Sequence, residues 1–430
     1  MTTPLRIGIA GLGTVGAGVI KIIQTHADTL QQRTGQAFEI VAVSASNRSR
    51  DRGVDISGYA WFDNALDLAE QDNIDLIVEL IGGSDGIAKE LAFAALDSGK
   101  HFVTANKALI AHHGHALAEL AEKNKVGLKF EAAVAGGIPI IKAIGEGLAA
   151  NGLFRVYGIM NGTCNYILTQ MEETGRDFAD VLADAQRLGY AEADPTFDVD
   201  GIDTAHKLAI LSSVAYGTKI NFDAVHTEGI RSIGAVDIDH AKELGYRIKL
   251  LGIAEYSSDG LRQRVRPCLV SLETPIAHVG DAFNAVVAEG DFIDRTVYEG
   301  RGAGEGPTAS AVVADVIDLA RGFLTSPFFV PAAHLSDTRH LPMSENEGEY
   351  YLRFHVSDTP GVVAGISSAL SEEGVSIDTM LQRGNDEEGA VYIIMVTHET
   401  TEHHMRRVLD KIGQLNSLIE PTVVMPIEQL

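Results

Sequence analysis

The chain has 430 residues, 45% of them hydrophobic and 22% charged, which predicts about three globular domains rather than a disordered chain or a single core. Lys and Arg total 34 against 59 Asp and Glu, so the formal net charge is −25. Because so negative a surface repels phosphate backbones and anionic lipid headgroups, we expect neither a nucleic acid nor a membrane as a partner.

The two cysteines, Cys164 and Cys268, lie far apart and outside any metal-ligand spacing, so we predict neither a disulfide framework nor a zinc site. The N-terminus enters an apolar strand almost at once, without the basic start and long apolar stretch of a signal peptide. With no run of about 18 apolar residues in the sequence, we expect a soluble, cytoplasmic protein.

Up to about residue 130, short apolar runs alternate with helical patterns, which is typical of parallel strands joined by helical crossovers. The strand candidates are Ile7–Ala10, Glu39–Val43, Leu76–Leu80, His101–Thr104 and Gly127–Phe130. The first is followed by the turn Gly11-Leu-Gly13-Thr14-Val15-Gly16 and a helical run. Gly11 permits a tight turn, Gly13 the approach of a pyrophosphate and Gly16 close helix packing. We therefore predict a Rossmann-type dinucleotide-binding domain rather than a turn without ligand.

The end of the second strand bears on the choice of cofactor. An NAD site usually has a carboxylate there, whereas a 2′-phosphate requires cationic groups. The strand ends in Val43-Ser-Ala-Ser-Asn-Arg48-Ser-Arg50, without a carboxylate and with two arginines that can pair with phosphate. This favours NADP(H) over NAD(H), unless Arg48 and Arg50 are only solvated loop residues.

A second, mixed α+β domain is predicted from about residue 136 to residue 304. Long helical stretches, such as Phe178–Leu188 and Val199–Tyr216, alternate there with strand-like runs such as Arg264–Ser271. A further helical run with small residues, Thr308–Phe323, follows.

Lys107 is the first candidate for the reaction site. Thr104-Ala-Asn-Lys107 follows a predicted strand, and the carboxyl ends of parallel strands face the ligand crevice. A lysine there can meet the nicotinamide or an oxygen of the substrate, although its position alone also allows an exposed surface lysine.

Asp203 and Lys207 are the second candidate, four residues apart and therefore on one face of a predicted helix. Such pairs are usually solvated surface bridges. Other carboxylates crowd around this pair, namely Glu192, Asp194, Asp198 and Asp200. This negative charge suits a substrate that bears an ammonium group. His206 lies off the Asp203 face, so we interpret it as structural rather than as an alternative acid or base.

From about residue 349 the order strand, helix, strand, strand, helix, strand is typical of a ferredoxin-like domain. The predicted elements are Tyr350–Ser357, Pro360–Gly374, Ser376–Arg383, Ala390–Thr397, Thr401–Leu415 and Thr422–Ile427. The segment Asp358-Thr-Pro360-Gly361 resembles the opening of an ACT domain. Pro360 suits a first helical turn, and Gly361 lets the backbone come close to a ligand.

The chain resembles the homoserine dehydrogenase family along its whole length. The family's motifs are matched in order by Gly11-Leu-Gly-Thr-Val-Gly16, Thr104-Ala-Asn-Lys107, Glu131-Ala-Ala-Val-Ala-Gly-Gly-Ile-Pro139, Asn161-Gly-Thr-Cys-Asn-Tyr-Ile-Leu168, Gly189-Tyr-Ala-Glu-Ala-Asp-Pro195, Asp198-Val-Asp-Gly-Ile-Asp-Thr-Ala-His-Lys207 and Gly300-Arg-Gly-Ala-Gly304 with Pro307-Thr-Ala-Ser310. The resemblance implies reversible NAD(P)H-dependent reduction of L-aspartate 4-semialdehyde to L-homoserine, in threonine, methionine and isoleucine biosynthesis.

The resemblance also implies a domain organisation. The NAD(P)-binding domain spans 1–135 and is completed by about 305–325, where the helix returns to pack on it. The substrate-binding, catalytic and dimerisation domain spans 136–304. A linker over 326–348 then leads to an ACT regulatory domain over 349–430.

Residue roles follow from the same resemblance. Lys207 is implied as the general acid of reduction and Asp203 as the group that orients it, while Lys107 binds the substrate oxygen and also meets the cofactor. Glu192 is implied as the ligand of the substrate ammonium, with Asp198 as a supporting carboxylate. Thr104 and Gly306 are implied in cofactor binding.

Three further partners are implied by the resemblance alone. A monovalent cation, usually Na⁺, is implied in the loop that contains Glu131, Val134, Gly136 and Ile138, mostly through backbone carbonyls, which leave no residue signature. Threonine is implied as an effector near Asp358 and Gly361. The assembly is implied as a homodimer or homotetramer, and an ACT domain used only for oligomerisation remains an alternative.

Two other functions remain open at this point. One is an enzyme like aspartate-semialdehyde dehydrogenase, in which Cys164 at a helix start is a thiolate nucleophile; against it, hydride transfer at the alcohol level needs no thiol. The other is a non-catalytic regulatory protein that responds to a dinucleotide and an amino acid. The dehydrogenase requires Lys207 and Lys107, whereas the regulatory protein requires only the glycine turn and the C-terminal domain.

Overall fold

The structure is a computed structural model that describes residues 3–383 and 389–430. Its N-terminal sheet has the strand order β3-β2-β1-β4-β5-β6, with every pair parallel. The bounds are β1 (Leu5–Ala10), α1 (Thr14–Thr25), α2 (Ala27–Thr34), β2 (Phe38–Ser44), β3 (Ala60–Phe62), β4 (Leu76–Glu79), α3 (Ile87–Asp97), β5 (His101–Thr104), α4 (Lys107–Asn124) and β6 (Leu128–Lys129). This is the predicted Rossmann-type domain. Only the short edge strand β3 was missed, since three residues carry no measurable periodicity.

The strand order reverses between β1 and β4, and this reversal opens a crevice at the carboxyl ends of the strands. The glycine turn lies at this edge, directly after β1. The first turn of α4 lies there too, since Lys107 begins that helix and Asn106 caps it by accepting the Leu109 backbone N–H at 3.1 Å. The topology thus brings the glycine turn and Lys107 to one edge of the sheet.

The middle of the chain adds a predominantly antiparallel sheet covered by helices. Its bounds are α5 (Ile140–Lys142), β7 (Leu153–Ile159), α6 (Gly162–Thr174), α7 (Phe178–Leu188), α8 (Thr196–Val199), α9 (Ile202–Tyr216), β8 (His226–Thr227), α10 (Ala235–Glu243), β9 (Tyr246–Ser257), β10 (Gly260–Ser271), β11 (Phe283–Gly290), β12 (Asp294–Arg301) and α11 (Glu305–Ala320). Helix α11 returns to the first domain and packs on α1, where a Cβ on Gly18 would lie 3.0 Å from the Ala309 side chain. Helix α9 is buried from Asp203 to Val214 and lies on β9, where Gly252 leaves room for Thr204.

The C-terminal domain has the predicted ferredoxin-like order. Its bounds are β13 (Glu347–Ser357), α12 (Val362–Glu372), β14 (Ile377–Arg383), β15 (Ala390–Thr397), β16 (Thr400–Thr401), α13 (Glu402–Ile412) and β17 (Val423–Glu428). Strand β17 pairs in parallel with β10 through Leu269–Ile427 and Val270–Glu428, so one sheet runs as β12-β11-β7-β9-β10-β17-β13-β15-β14. The sequence analysis did not predict this continuous sheet.

Buried ion pairs cross the same junction. The guanidinium of Arg264 meets Glu255 at 2.7 Å and Glu428 at 2.9 Å, and that of Arg266 meets Glu228 at 3.2 Å and Glu402 at 3.0 Å. Both arginines are almost fully buried, so removal of one arginine would leave two carboxylates without their counter-charge. Among the described helices, none combines the length and apolar character needed to cross a membrane.

Candidate active site

The glycine turn has the backbone conformation that a dinucleotide site requires. Gly11 has a φ of 99°, and a Cβ there would lie 2.5 Å from the Leu80 carbonyl oxygen. A Cβ on Gly16 would overlap the Gly11 carbonyl, because α1 begins so close to β1. A Cβ on Gly13 would meet nothing within 4 Å, so this backbone is open to a ligand. Thr14 begins α1, and Val15 lines the neighbouring active-site cavity described below.

A cavity of about 640 Å³ lies between the glycine turn and the end of β2. Arg50 and Arg52 line it, whereas Arg48 lies with its guanidinium 5.8 Å from the centroid of the Trp61 ring. Arg52 donates to the Leu12 carbonyl at 3.1 Å and also to the Asn47 carbonyl, which fixes its loop against the glycine turn. Of the two arginines considered from sequence, only Arg50 therefore reaches the cavity, and Arg52 was missed because its contacts are with backbone oxygens.

Lys107 and Lys207 approach the same carboxylate from opposite sides. The Nζ of Lys207 lies 2.7 Å from one Asp203 oxygen, and the Nζ of Lys107 lies 3.1 Å from the other. Lys207 also donates to the Met160 carbonyl at 2.7 Å. Asp203 is 4% exposed and Lys207 is 9% exposed, so the alternative of a solvated surface bridge is wrong for this pair.

The two ammonium groups control the ionisation of Asp203. Burial alone would raise the pKa of this carboxyl, but Lys207 and Lys107 hold the pKa well below its usual value. Asp203 is therefore a fixed negative charge that keeps two ammonium groups together.

Asn161 connects this group to a second carboxylate. Its Nδ2 donates to Asp203 and to Asp198, both at 2.8 Å, and its Oδ1 accepts the Cys164 backbone N–H as the cap of α6. Burial and the nearby Asp203 charge raise the pKa of Asp198. From sequence, Asn161 belongs to a motif without an assigned role of its own; an Asn before a helical run is the cap signal that points to it.

These side chains line a cavity of about 630 Å³ between the two domains. Glu192 lies at its mouth, and the Glu192 carboxylate makes no hydrogen bond to the part of the chain that the structure describes. Gly304 and Thr308 border the same cavity, on either side of Gly306. Thr104 is fully buried, and its hydroxyl donates to Glu79 at 2.6 Å, so its side chain lies behind the cavity wall.

The loop predicted to bind a cation borders the same cavity through Gly136. The carboxylate oxygens of Glu131 accept the backbone N–H groups of Ile141 and Lys142 at 2.9 Å each. Burial raises the pKa of Glu131 to about 7. The carbonyls of Val134 and Gly136 accept no hydrogen bond from residues 3–383 or 389–430, and the Ile138 carbonyl accepts one from Ile140 at 2.8 Å. The donor set thus fits a cation held mainly by backbone carbonyls.

The surroundings of Cys164 and His206 indicate structural rather than catalytic roles. Cys164 is fully buried, its Sγ lies 3.2 Å from the Asp198 carbonyl oxygen, and burial raises the pKa of the thiol well above its usual value. A thiolate nucleophile is therefore disfavoured at this position. The Nδ1 of His206 lies 3.0 Å from the Ile202 carbonyl oxygen, and its ring stacks on Phe222 at 4.1 Å between centroids.

The C-terminal domain has a separate cavity of about 400 Å³ at the start of α12. It is lined by Thr359, Gly361 and, from the segment that follows α13, Asn416. Gly361 has a φ of 98°, and a Cβ there would meet nothing within 4 Å, so its backbone is open to a ligand. Asp358 adjoins this lining but is not part of it.

Comparison with known proteins covers all three regions of the chain. Family models match residues 11–131 as "Homoserine dehydrogenase, NAD binding domain", residues 139–317 as "Homoserine dehydrogenase" and residues 350–416 as "ACT domain". A homoserine dehydrogenase of Pseudomonas aeruginosa is 44% identical over 435 residues, with 99% of each chain covered.

Solved structures of homoserine dehydrogenases are also similar to this chain. A homoserine dehydrogenase of Thiobacillus denitrificans superposes with a TM-score of 0.92 at 43% identity, over 99% of this chain and 98% of that one. A hyperthermophilic archaeal homoserine dehydrogenase in complex with NADPH superposes with a TM-score of 0.65 at 25% identity, over 76% of this chain and 100% of that one. With the lysine–aspartate–lysine group at a cavity beside the glycine turn, these matches show that the chain belongs to the homoserine dehydrogenase family.

Proposed function

We propose that this chain reduces L-aspartate 4-semialdehyde reversibly to L-homoserine with NADP(H), in the biosynthesis of threonine, methionine and isoleucine. The observation that carries the proposal is the pair of ammonium groups, from Lys107 and Lys207, held on Asp203 at the wall of one cavity. Two cations at one point suit a substrate oxygen that becomes negative during reduction.

The chemistry of the step assigns a role to each lysine. When bound, the nicotinamide supplies the hydride that forms the new C–H bond at the aldehyde carbon. As the carbonyl electron pair moves to oxygen, Lys107 stabilises the negative charge and Lys207 gives the oxygen a proton, which yields the alcohol. In the reverse direction Lys207 takes that proton. Asp203 orients both ammonium groups, and the Met160 carbonyl fixes Lys207 from the other side.

The carboxylates at the cavity mouth are proposed to bind the substrate's ammonium group. The Glu192 carboxylate makes no hydrogen bond to residues 3–383 and 389–430 and is therefore available for a charge-assisted bond. Asp198, held by Asn161 at 2.8 Å, supports it with a second negative charge. The substrate's amino end would then lie at the mouth and its aldehyde end at the lysines.

NADP(H) is the proposed cofactor, and NAD(H) a less favoured one. Arg50 and Arg52 line the cavity at the end of β2, where a 2′-phosphate would lie, and Arg48 is nearby on the Trp61 ring. The glycine turn from Gly11 to Gly16 would hold the pyrophosphate at the start of α1. The archaeal relative's complex with NADPH supports this choice by analogy.

Further partners are proposed from the family. A sodium ion would lie in the loop of Glu131, Val134, Gly136 and Ile138, on the free carbonyls at the cavity edge. Threonine is proposed as the effector of the C-terminal domain, near Gly361 and Asp358. The assembly is proposed as a cytoplasmic homodimer or homotetramer.

The test is oxidation of homoserine, followed at the NADPH absorbance band with NADP⁺ and NAD⁺ compared. We expect a higher kcat/KM with NADP⁺. In Arg50→Ala, loss of a charge-assisted hydrogen bond should lower that value about tenfold or more while the value with NAD⁺ stays unchanged. Equal loss with both cofactors would contradict the phosphate role. No turnover despite NADPH binding would favour the non-catalytic regulatory protein.

A further inference from the structure

Asn284 is a buried residue whose side-chain amide has no partner. It is the second residue of β11 and is 0% exposed, yet neither its Nδ2 nor its Oδ1 makes a hydrogen bond to residues 3–383 or 389–430. A buried amide without partners destabilises a fold, so such groups are rare in native proteins and require an explanation.

The amide lies directly behind the wall of the active-site cavity. A Cβ on Gly302 would overlap the Asn284 amide, and a Cβ on Gly162 would lie 3.5 Å from its Oδ1. Gly162 and Gly302 both line the cavity. Asn284 therefore reaches the point where the start of α6 meets the segment between β12 and α11.

That segment, residues 302–304, lies between the Asn284 amide and the cavity. Ala303 and Gly304 are exposed, and both residues line the cavity. Gly304 has a φ of 114°, a conformation that only glycine adopts without strain. The Asn284 amide thus contacts this exposed segment at its one buried residue, Gly302.

We propose that Asn284 is a positioning residue for the reaction. When cofactor and substrate fill the cavity, the segment 302–304 settles with one of its peptide groups hydrogen-bonded to the Asn284 amide, and this bond fixes the segment over the ligands. The inference rests on the proposed function, because it assigns the cavity to those ligands. It predicts that the Asn284 bond exists in the complex and not in the free enzyme.

The test compares Asn284→Leu with Asn165→Leu. Leucine has the same number and branching of side-chain heavy atoms as asparagine. Asn165 is equally buried but fully bonded, to the carbonyls of Val279 and Phe283 and to Lys249. Asn165→Leu should lower the melting temperature of the free enzyme, whereas Asn284→Leu should leave it unchanged or raise it, since no bond is lost.

In Asn284→Leu we expect the gain in melting temperature with NADPH plus homoserine to shrink and kcat/KM to fall about tenfold, the equivalent of one hydrogen bond. Asn284→Ala should show the same loss, which excludes overpacking by leucine as the cause. NADPH affinity is read from the fluorescence of Trp61, the sole tryptophan, beside the adenosine-side cavity.

Two results would overturn the inference. One is wild-type kinetics and a wild-type ligand-dependent gain in both Asn284 variants. The other is a free Asn284→Leu enzyme that melts as low as Asn165→Leu, which would show a bond in the free enzyme. If the wild type does not oxidise homoserine, the proposed function fails, but the comparison of melting temperatures with NADPH still tests Asn284.

Discussion

Two buried lysines of the middle domain have nearly the same surroundings and differ in one partner. Lys207 donates to the Met160 carbonyl at 2.7 Å and to the Asp203 carboxylate at 2.7 Å. Lys249 donates to the Val279 carbonyl at 2.6 Å and to the Asn165 side-chain oxygen at 2.9 Å. One lysine thus has a carbonyl and a carboxylate, and the other has a carbonyl and an amide.

This one partner determines how the positive charge of each lysine is compensated. Burial and the nearby Arg247 lower the pKa of Lys249 to about 8, because its partners at hydrogen-bonding distance among residues 3–383 and 389–430 are an amide and a carbonyl and not a carboxylate. At Lys207 the charge is compensated by Asp203, whose own pKa the two lysines hold low. Lys207 lines the active-site cavity and Lys249 is not among the residues that line it, so only Lys207 can reach a ligand there. Burial alone therefore does not identify a functional lysine.

The largest expected effect on activity comes from removing Lys207, the lysine whose charge Asp203 compensates. In Lys207→Met, loss of the group that accepts the hydroxyl proton should lower kcat for homoserine oxidation by 10²–10⁴-fold, the usual contribution of general acid–base catalysis. Affinity for NADPH, measured through Trp61 fluorescence, should not change. Lys249→Met is the matched control and should keep kcat within a few-fold of wild type. A Lys207→Met enzyme with near-normal kcat would move the proton transfer to Lys107.

A smaller effect is expected when the two sites are made alike. Asp203→Asn gives Lys207 a carbonyl and an amide oxygen, the partners that Lys249 has. The amide has no charge to hold the two ammonium groups together, so both are less well placed at the substrate oxygen. We expect kcat for homoserine oxidation at neutral pH to fall by about 10–100-fold beside the wild type. An unchanged kcat would mean that Asp203 only packs the helix.

The sequence predicted those parts of the site that depend on local pattern. The turn from Gly11 to Gly16 has a fixed spacing between a strand and a helix, and Asp203 and Lys207 are neighbours on any helix. Five of the six strands of the first domain, all but β3, were predicted to within two residues for the same reason. The roles of Lys107 and Glu192 came from family resemblance, since nothing local distinguishes them from surface residues.

The parts of the fold and of the site that the sequence did not predict depend on contacts between distant segments or on backbone atoms. Lys107 reaches Asp203 only through the packing of two domains. Arg52 and Lys249 bond to carbonyls, which every residue has, so no residue pattern marks them. The joining of β17 to β10 likewise cannot be predicted from the sequence, because the pairing is made through backbone groups of two strands that lie far apart in the chain.

The smallest expected effect is a change in the pH dependence of stability, and it comes from Lys249. Its pKa falls from 10.5 in the unfolded chain to about 8 in the folded one, so the unfolded chain binds the proton more tightly. Between about pH 8 and pH 10.5 unfolding therefore takes up a proton, and the free energy of unfolding rises with pH; below about pH 8 the full destabilisation remains.

Lys249→Met removes this titration but leaves every other group in place. The difference in free energy of unfolding, wild type minus variant, should accordingly rise by up to roughly 3 kcal/mol from pH 8 to pH 10.5, as measured by urea denaturation. Titrations shared by both proteins cancel in this difference. A flat difference across the window would show that Lys249 keeps its charge without a carboxylate partner. The carboxylate of Asp203 would then not be what distinguishes the charge of Lys207 from that of Lys249.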